Sequence, residues 1–248
     1  PQILTTVPRL LEKVYDKIMA KGRALKPIPK KLFFNAVELG NKYEYDKKDP
    51  VFHLKRKFYD KIIYSKWREA LGGNMRAVVS GGAAMQPRLA RVFNTAGIPV
   101  LEGYGMTETA PVIACNTFER GQRKIGTVGP PLKNMQVRIS DQGEILVKGD
   151  NVMIEYYKAP ELTKEVLVDG WMHTGDVGVI DENGLLKITG RVKEIFKTSM
   201  GKYISPALIE NKFKESPFID QMMVIGENQK FAAALIVPEF EYLRNWCK

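Results

Sequence analysis

The stretch from Met75 to Gly105 constrains the fold more than any other. "MRAVVSGG" is a short β-branched run ended by glycines, "QPRLARVFNTAG" reads as a helix, and "IPVLEGYG" is a strand again. Strand, helix, strand is a βαβ unit. Parallel strands need a crossover connection, so this pattern calls for a parallel sheet and an α/β protein.

The flanks have different textures. Upstream, "VPRLLEKVYDKIMAKG" places Leu10, Leu11, Val14, Tyr15 and Ile18 at helical spacing, with Gly22 as the expected stop. "KKLFFNAVELGNKYEY" and "FHLKRKFYDKIIYSKWREALGG" are similar, punctuated by Pro27, Pro29 and Pro50. Downstream, from Thr127 to Thr189, come short alternating strands such as "MQVRIS" and "DQGEILVKG", and "GVIDENGLLKITG" carries a hairpin signal. This part reads as antiparallel sheet or a small barrel. Near Lys193 a small α+β unit is expected to begin: the helix "ALIENKFKESP", the strands "MMVIGE" and "FAAALIVPEF", then the start of another helix.

Composition narrows the function classes. The chain has 248 residues, 44% hydrophobic and 27% charged, within the globular range. It has no apolar run long enough to span a bilayer. The net charge of +10 suits a polyanion: nucleic acid, an acidic membrane or a nucleotide. The basic residues are dispersed among acidic ones, which favours the solvated faces of helices. Cys115 and Cys247 form no CxxC, and His53 and His173 are isolated, so neither a disulfide framework nor a zinc cluster is indicated; this usage suits a reducing cytoplasm. Gly201-Lys202 is followed by Tyr203, which excludes a GxxxxGK[ST] loop there, and no GxSxG, HExxH or full GxGxxG occurs.

Three clusters carry chemistry. "SGGAAM" and "GYGMTE" each follow a strand, and open α/β sheets bind ligands at the carboxyl ends of strands. Glycines there admit a ligand to the backbone. Tyr104 offers a flat face, Thr107 a hydrogen bond to a phosphate oxygen, and Glu108 a ligand for Mg²⁺. In "GWMHTGDVGVIDENG", Asp176 is either a turn residue or a carboxylate facing a ribose diol. In "GRVKEIFKTSMGKYISP", Arg191 stands just beyond a strand, and Lys193, Lys197 and Lys202 follow in a Gly-containing loop, a charge run that is either solvated or placed at a domain boundary.

Taken in this order, "VPRLLEKVYDKI", "SGGAAM", "GYGMTETAP", "GTVGPPL", "GEILVKG", "WMHTGDVG", "GRVKEIFKTSMGKYISP" and "ALIE" resemble the adenylate-forming superfamily of acyl-CoA synthetases and luciferases, and within it the long-chain fatty acid–CoA ligases. The resemblance covers nearly the whole chain. It implies part of a large AMP-binding domain over residues 1–192, a helix-flanked sheet plus a small β-barrel-like region, followed by the start of a lid domain over 193–248. It implies ATP, Mg²⁺ and CoA, with a fatty acid as the other substrate. It implies that Tyr104 stacks on adenine, with the backbone of Gly82 and Ala83 on the other face and Glu102 and Gly103 beside it. Asp176, helped by Arg191, would hold the ribose. Thr107, Glu108 and Lys197 would form the catalytic set, Thr107 at the α-phosphate and Glu108 on the metal. Lys193 would be the hinge. The family's Ser/Thr/Gly-rich phosphate loop and its C-terminal lysine are absent, so the resemblance implies an internal piece, inactive alone. Glu155 in "MIEYY" stands where relatives have glycine, which questions the local turn.

Rival readings stay open at this point. One is a basic nucleic-acid or membrane-surface module, for which "KRKFYDKIIYSKWR" is the faint signature. Others are another acid–thiol ligase of the same superfamily, and a protein that holds nucleotide without turnover. Nucleic acid is the least favoured partner. A cytoplasmic location, peripheral contact with a membrane and a homodimer are each compatible with the ligase reading.

Overall fold

Among the described residues, proline opens six of the eight α-helices, because its fixed φ suits the first helical turn and its missing N–H has no partner to lose there. The computed structural model describes residues 1–247 and divides into two units.

The first unit comprises Pro1–Thr107, Pro111–Leu132 and Asn183–Leu185. Strand β1 (Ile3–Thr6) leads into helices α1 (Pro8–Arg23), α2 (Pro27–Asn41) and α3 (Pro50–Tyr59). A single π turn (Asp60–Tyr64) joins α3 to α4 (Ser65–Ala70). Then come β2 (Ala77–Ser80), α5 (Pro87–Thr95), β3 (Val100–Gly105) and β4 (Val112–Cys115). The sheet order is β1-β2-β3-β4, with β1, β2 and β3 parallel and β4 antiparallel to β3. The expected βαβ unit is β2-α5-β3.

The helices pack into one core with the sheet: Leu11 and Tyr15 from α1, Phe33, Ala36 and Val37 from α2, and Leu89, Val92 and Phe93 from α5 are buried with Val78 and Val100. Gly22 does not stop α1. It lies in its last turn and is buried, and a Cβ there would collide with the Phe33 ring. Its smallness serves helix packing. Tyr64 is fully buried, and its hydroxyl donates to the Ala36 carbonyl at 2.7 Å, which satisfies the polar end of an otherwise apolar side chain. Arg68 forks onto Asp60 and also reaches the Ala96 carbonyl. That fork holds the Asp60 carboxyl below its ordinary pKa.

The second unit comprises Glu108–Ala110, Lys133–Glu182 and the residues from Leu186 on. It contains β5 (Met135–Ile139), β6 (Glu144–Gly149), α6 (Pro160–Val166), β7 (Leu167–Val168), β8 (Trp171–Ile180) and β9 (Leu186–Arg191). Their five-stranded antiparallel sheet runs β5-β6-β8-β7, with β9 also on β8. The "DENG" segment makes the β8-β9 connection, as the turn chemistry predicts. Beyond it, β10 (Phe196–Lys197) pairs with β11 (Tyr203–Ile204). Helix α7 (Pro206–Phe213), β12 (Ile219–Ile225), β13 (Ala233–Pro238) and α8 (Phe240–Trp246) follow. Ile204, Met222 and Val224 form a small core with Phe196, Ile209 and Ala234. The architecture is the α/β fold expected, with helix-flanked sheet first and antiparallel strands after it.

Candidate active site

The strand-end turns lie in the first unit. Gly81, Gly82 and Ala83 make the turn from β2 into α5, with Gly82 at φ +77°. Gly82 and Ala83 are exposed. Ser80 stands opposite Glu102 in the parallel ladder, and a Cβ on Gly81 would lie 3.3 Å from the Gly103 carbonyl oxygen. The sheet register thus brings the "SGGA" turn and "EGYG" side by side.

"GYGMTE" does not simply follow a strand, as its sequence suggests. β3 runs on through Gly105, and Gly103 and Tyr104 pair antiparallel with Cys115 and Ala114. Tyr104 is therefore a half-buried strand residue where the sheet changes from parallel to antiparallel pairing. A Cβ on Gly105 would strike the Pro111 carbonyl, so the tight return into β4 requires glycine. Glu102 is half-buried, and loss of solvent pushes its carboxyl up to about 7, against the stabilising hydrogen bond from the Gly126 amide. Thr107 is exposed and opens a one-turn 3₁₀ segment, Thr107–Thr109.

Glu108 and Asp176 lie in the second unit. The Glu108 side chain accepts the Tyr156 hydroxyl at 2.8 Å, and its carbonyl accepts the Met153 amide at 2.7 Å. The hydrogen bond to Glu108 raises the Tyr156 pKa and keeps the phenol protonated. Asn151 Nδ2 donates to the Thr109 carbonyl at 2.7 Å. Glu155 beside them is exposed and lies outside the left-handed region, so its backbone does not require glycine.

Asp176 is a buried residue inside β8, not a turn residue. It stands opposite Arg191, the last residue of β9, and Arg191 Nε donates to its Oδ1 at 2.9 Å. The Asp176 amide donates to Thr174 Oγ1 at 3.1 Å, and Thr174 in turn donates to the Ile145 carbonyl at 2.8 Å. Gly175, at φ +71°, donates its amide to Glu144 Oε1 at 2.9 Å, while Glu144 Oε2 lies 2.8 Å from His173 Nδ1. Glu144 and His173 were not singled out in the sequence. Glu144 lies 29 positions before His173, so no local spacing connects them, and the pair becomes visible only once β6 lies against β8.

Lys193 is exposed in a turn where the Glu194 and Ile195 amides both donate to the Arg191 carbonyl at 3.1 Å. Lys197 belongs to β10 rather than to a loop, and its ammonium lies 5.3 Å from the centre of the Tyr203 ring. No helix of the described residues is long and apolar enough to cross a membrane.

The chain belongs to the AMP-binding enzyme family. The family model described as AMP-binding enzyme matches residues 1–157, and that of the AMP-binding enzyme C-terminal domain matches 193–245. Among named relatives, the chain is 39% identical to a long-chain-fatty-acid–CoA ligase of Mycobacterium bovis, over 99% of this chain and 41% of that protein. The chain thus spans about two fifths of the length of that relative. Among solved structures, it superposes on the adenylation domain of a carboxylate reductase from Mycobacterium chelonae with a TM-score of 0.71 at 23% identity, covering 100% of this chain and 36% of the other. It also matches the o-succinylbenzoate coenzyme A synthetase of Bacillus subtilis in complex with ATP and magnesium, with a TM-score of 0.61 at 27% identity, over 74% and 43% of the two chains.

Proposed function

We propose that the full-length protein containing this sequence is an AMP-forming long-chain fatty acid–CoA ligase. A fatty-acid carboxylate oxygen attacks the α-phosphorus of ATP and pyrophosphate leaves. The CoA thiol then attacks the acyl carbon of the adenylate, and AMP leaves as the thioester forms. The observation that carries this reading is Asp176: a buried carboxylate, built into a strand and aligned by Arg191, is suited to hold the two hydroxyls of a ribose. The 39% identity to a long-chain ligase over nearly the whole chain supports the acyl-CoA reading over other acid–thiol ligases.

In this reading Tyr104 stacks on adenine, with the Gly82 and Ala83 backbone on its far face and Glu102 and Gly103 flanking it. Thr107 binds the α-phosphate, Lys197 contributes positive charge, and Lys193 is the hinge between a large domain (1–192) and a lid domain (193–248). The second family match, which starts at Lys193, supports that boundary. Glu108 fits a magnesium ion that arrives with the nucleotide. Among the described residues there is no group of three metal-binding side chains, and Mg²⁺ characteristically takes one or two carboxylates plus phosphate oxygens. When bound, the ion neutralises phosphate charge. The test is pyrophosphate release by the full-length protein: it should require ATP, Mg²⁺ and a long-chain fatty acid together. Release without the acid, or none with it, would overturn the reading.

A membrane surface is the proposed source of substrate. From Pro8 to Ala70, seventeen Lys and Arg stand against eight Asp and Glu, so this segment holds nearly all of the net +10. Ile28, Leu54 and Phe58 are more than half exposed among these cations. Co-sedimentation with anionic but not neutral vesicles is expected; equal recovery with both would remove the proposal.

A further inference from the structure

The 3₁₀ segment that carries Glu108 is three residues long, too short to fix a side chain by itself. It is held by another segment instead, through three hydrogen bonds of similar length. Asn151 Nδ2 holds the Thr109 carbonyl, the Met153 amide holds the Glu108 carbonyl, and the Tyr156 hydroxyl holds Glu108 Oε1. Two of these restrain backbone. The third restrains the carboxylate.

Tyr156 is itself anchored at both ends of its peptide unit. Its amide donates to Thr163 Oγ1 at 2.9 Å, and its carbonyl accepts the Ala159 amide at 3.1 Å. Thr163 also closes onto the Ala159 carbonyl at 3.1 Å. The ring therefore leaves a fixed point at the start of α6.

The geometry points to Tyr156 as the positioning residue for Glu108, orienting its carboxylate toward a nucleotide-bound divalent cation. The inference rests on the reading of Glu108 as the metal residue. The chemistry of the donor fits the task. A phenol is neutral, so it orients the carboxylate without cancelling its charge, as a lysine or arginine would. A carboxylate also has more acceptor capacity than one donor uses, so the bond leaves room for a metal. Partners of this kind fix ligand orientation, and their loss typically weakens metal binding about 10–100-fold.

The experiment uses full-length protein with Y156F, E108Q and the double variant. Mn²⁺ binding in the presence of ATP is followed by electron paramagnetic resonance, and ATP binding in EDTA by calorimetry. Y156F should weaken nucleotide-dependent Mn²⁺ binding about tenfold and leave ATP affinity in EDTA unchanged, which also shows that the variant is folded. E108Q should weaken Mn²⁺ binding at least as much, and the double variant no further than E108Q, since the hydroxyl acts through the carboxylate. If Y156F binds Mn²⁺ like the parent while E108Q does not, Tyr156 is structural only and the inference is wrong. If E108Q also binds like the parent, the metal reading of Glu108 falls and takes the inference with it.

Discussion

Asp176 and Arg191 face each other on adjacent antiparallel strands, with the guanidinium Nε 2.9 Å from the carboxylate, the acid buried and the base largely exposed. The exposed half of this pair contributes little to stability, because solvent screens it. Its consequence is orientation: Arg191 occupies one carboxylate oxygen from a known direction.

Removing the carboxylate should therefore show in binding. In the full-length protein, Asp176→Ala should weaken ATP binding about ten- to a thousand-fold, since two charge-assisted hydrogen bonds of roughly 1.5–3 kcal/mol each are lost and water replaces them in part. Calorimetric titration measures this. Affinity within a factor of two of the parent would remove Asp176 from the ribose site.

Gly22→Ala should go against helix propensity. In an open helix the change stabilises by roughly 0.5–1 kcal/mol. Here the new methyl meets the Phe33 ring inside the core, so overpacking should destabilise by about 1–3 kcal/mol. Thermal melts of Gly22→Ala and of Gly22→Ala/Phe33→Leu test this: the single variant should melt lower, and the second change should recover part of the loss. A stabilised single variant would show that the helices can move apart.

Glu102 should make stability depend on pH. Its folded pKa, about 7, lies above the ordinary carboxylate value of 4.5. The folded state therefore holds its proton longer than the unfolded state does, and stability falls as pH rises from about 4.5 through 7. Glu102→Gln should flatten this part of the profile and be the more stable form at pH 8. Denaturant midpoints from pH 5 to 8 measure it, and parallel profiles for the two proteins would place the Glu102 titration elsewhere.

Lys193 should tolerate alanine and resist proline. The turn it occupies is exposed, and a hinge needs backbone freedom rather than charge; proline fixes φ near −65°. In the full-length protein, Lys193→Pro should separate the half-reactions, retaining pyrophosphate exchange while thioester formation drops by orders of magnitude. Lys193→Ala should be mild. Equal harm from both, or thioester formation undisturbed by proline, would remove the hinge role.

Much of this architecture was legible because its signals are local. The β2-α5-β3 unit, the "DENG" connection and the helices α1 to α3 each follow from a periodicity and a turn within a few residues of each other. What was hidden depends on distant partners. Strand β1 is rich in β-branched residues but only four long, and it is completed by pairing with β2, more than 70 positions away. The short helix α6 has no buried face to give it a periodic pattern. Gly22 reads as a helix stop until Phe33 is seen against it. Asp176 follows Thr174-Gly175 and so mimics a turn residue, but β6 and β9 on either side make it part of a strand. Tyr156 lies 48 positions from Glu108, and no spacing rule connects them.

The proposed attack of a fatty-acid carboxylate on the α-phosphorus of ATP leaves an isotopic trace. Full-length protein supplied with ATP, Mg²⁺, CoA and a long-chain fatty acid carrying ¹⁸O in its carboxylate should return AMP with one labelled oxygen per acyl group activated and pyrophosphate with none, read by mass spectrometry. Label in pyrophosphate or in free phosphate, or acyl-CoA formed alongside unlabelled AMP, would contradict it.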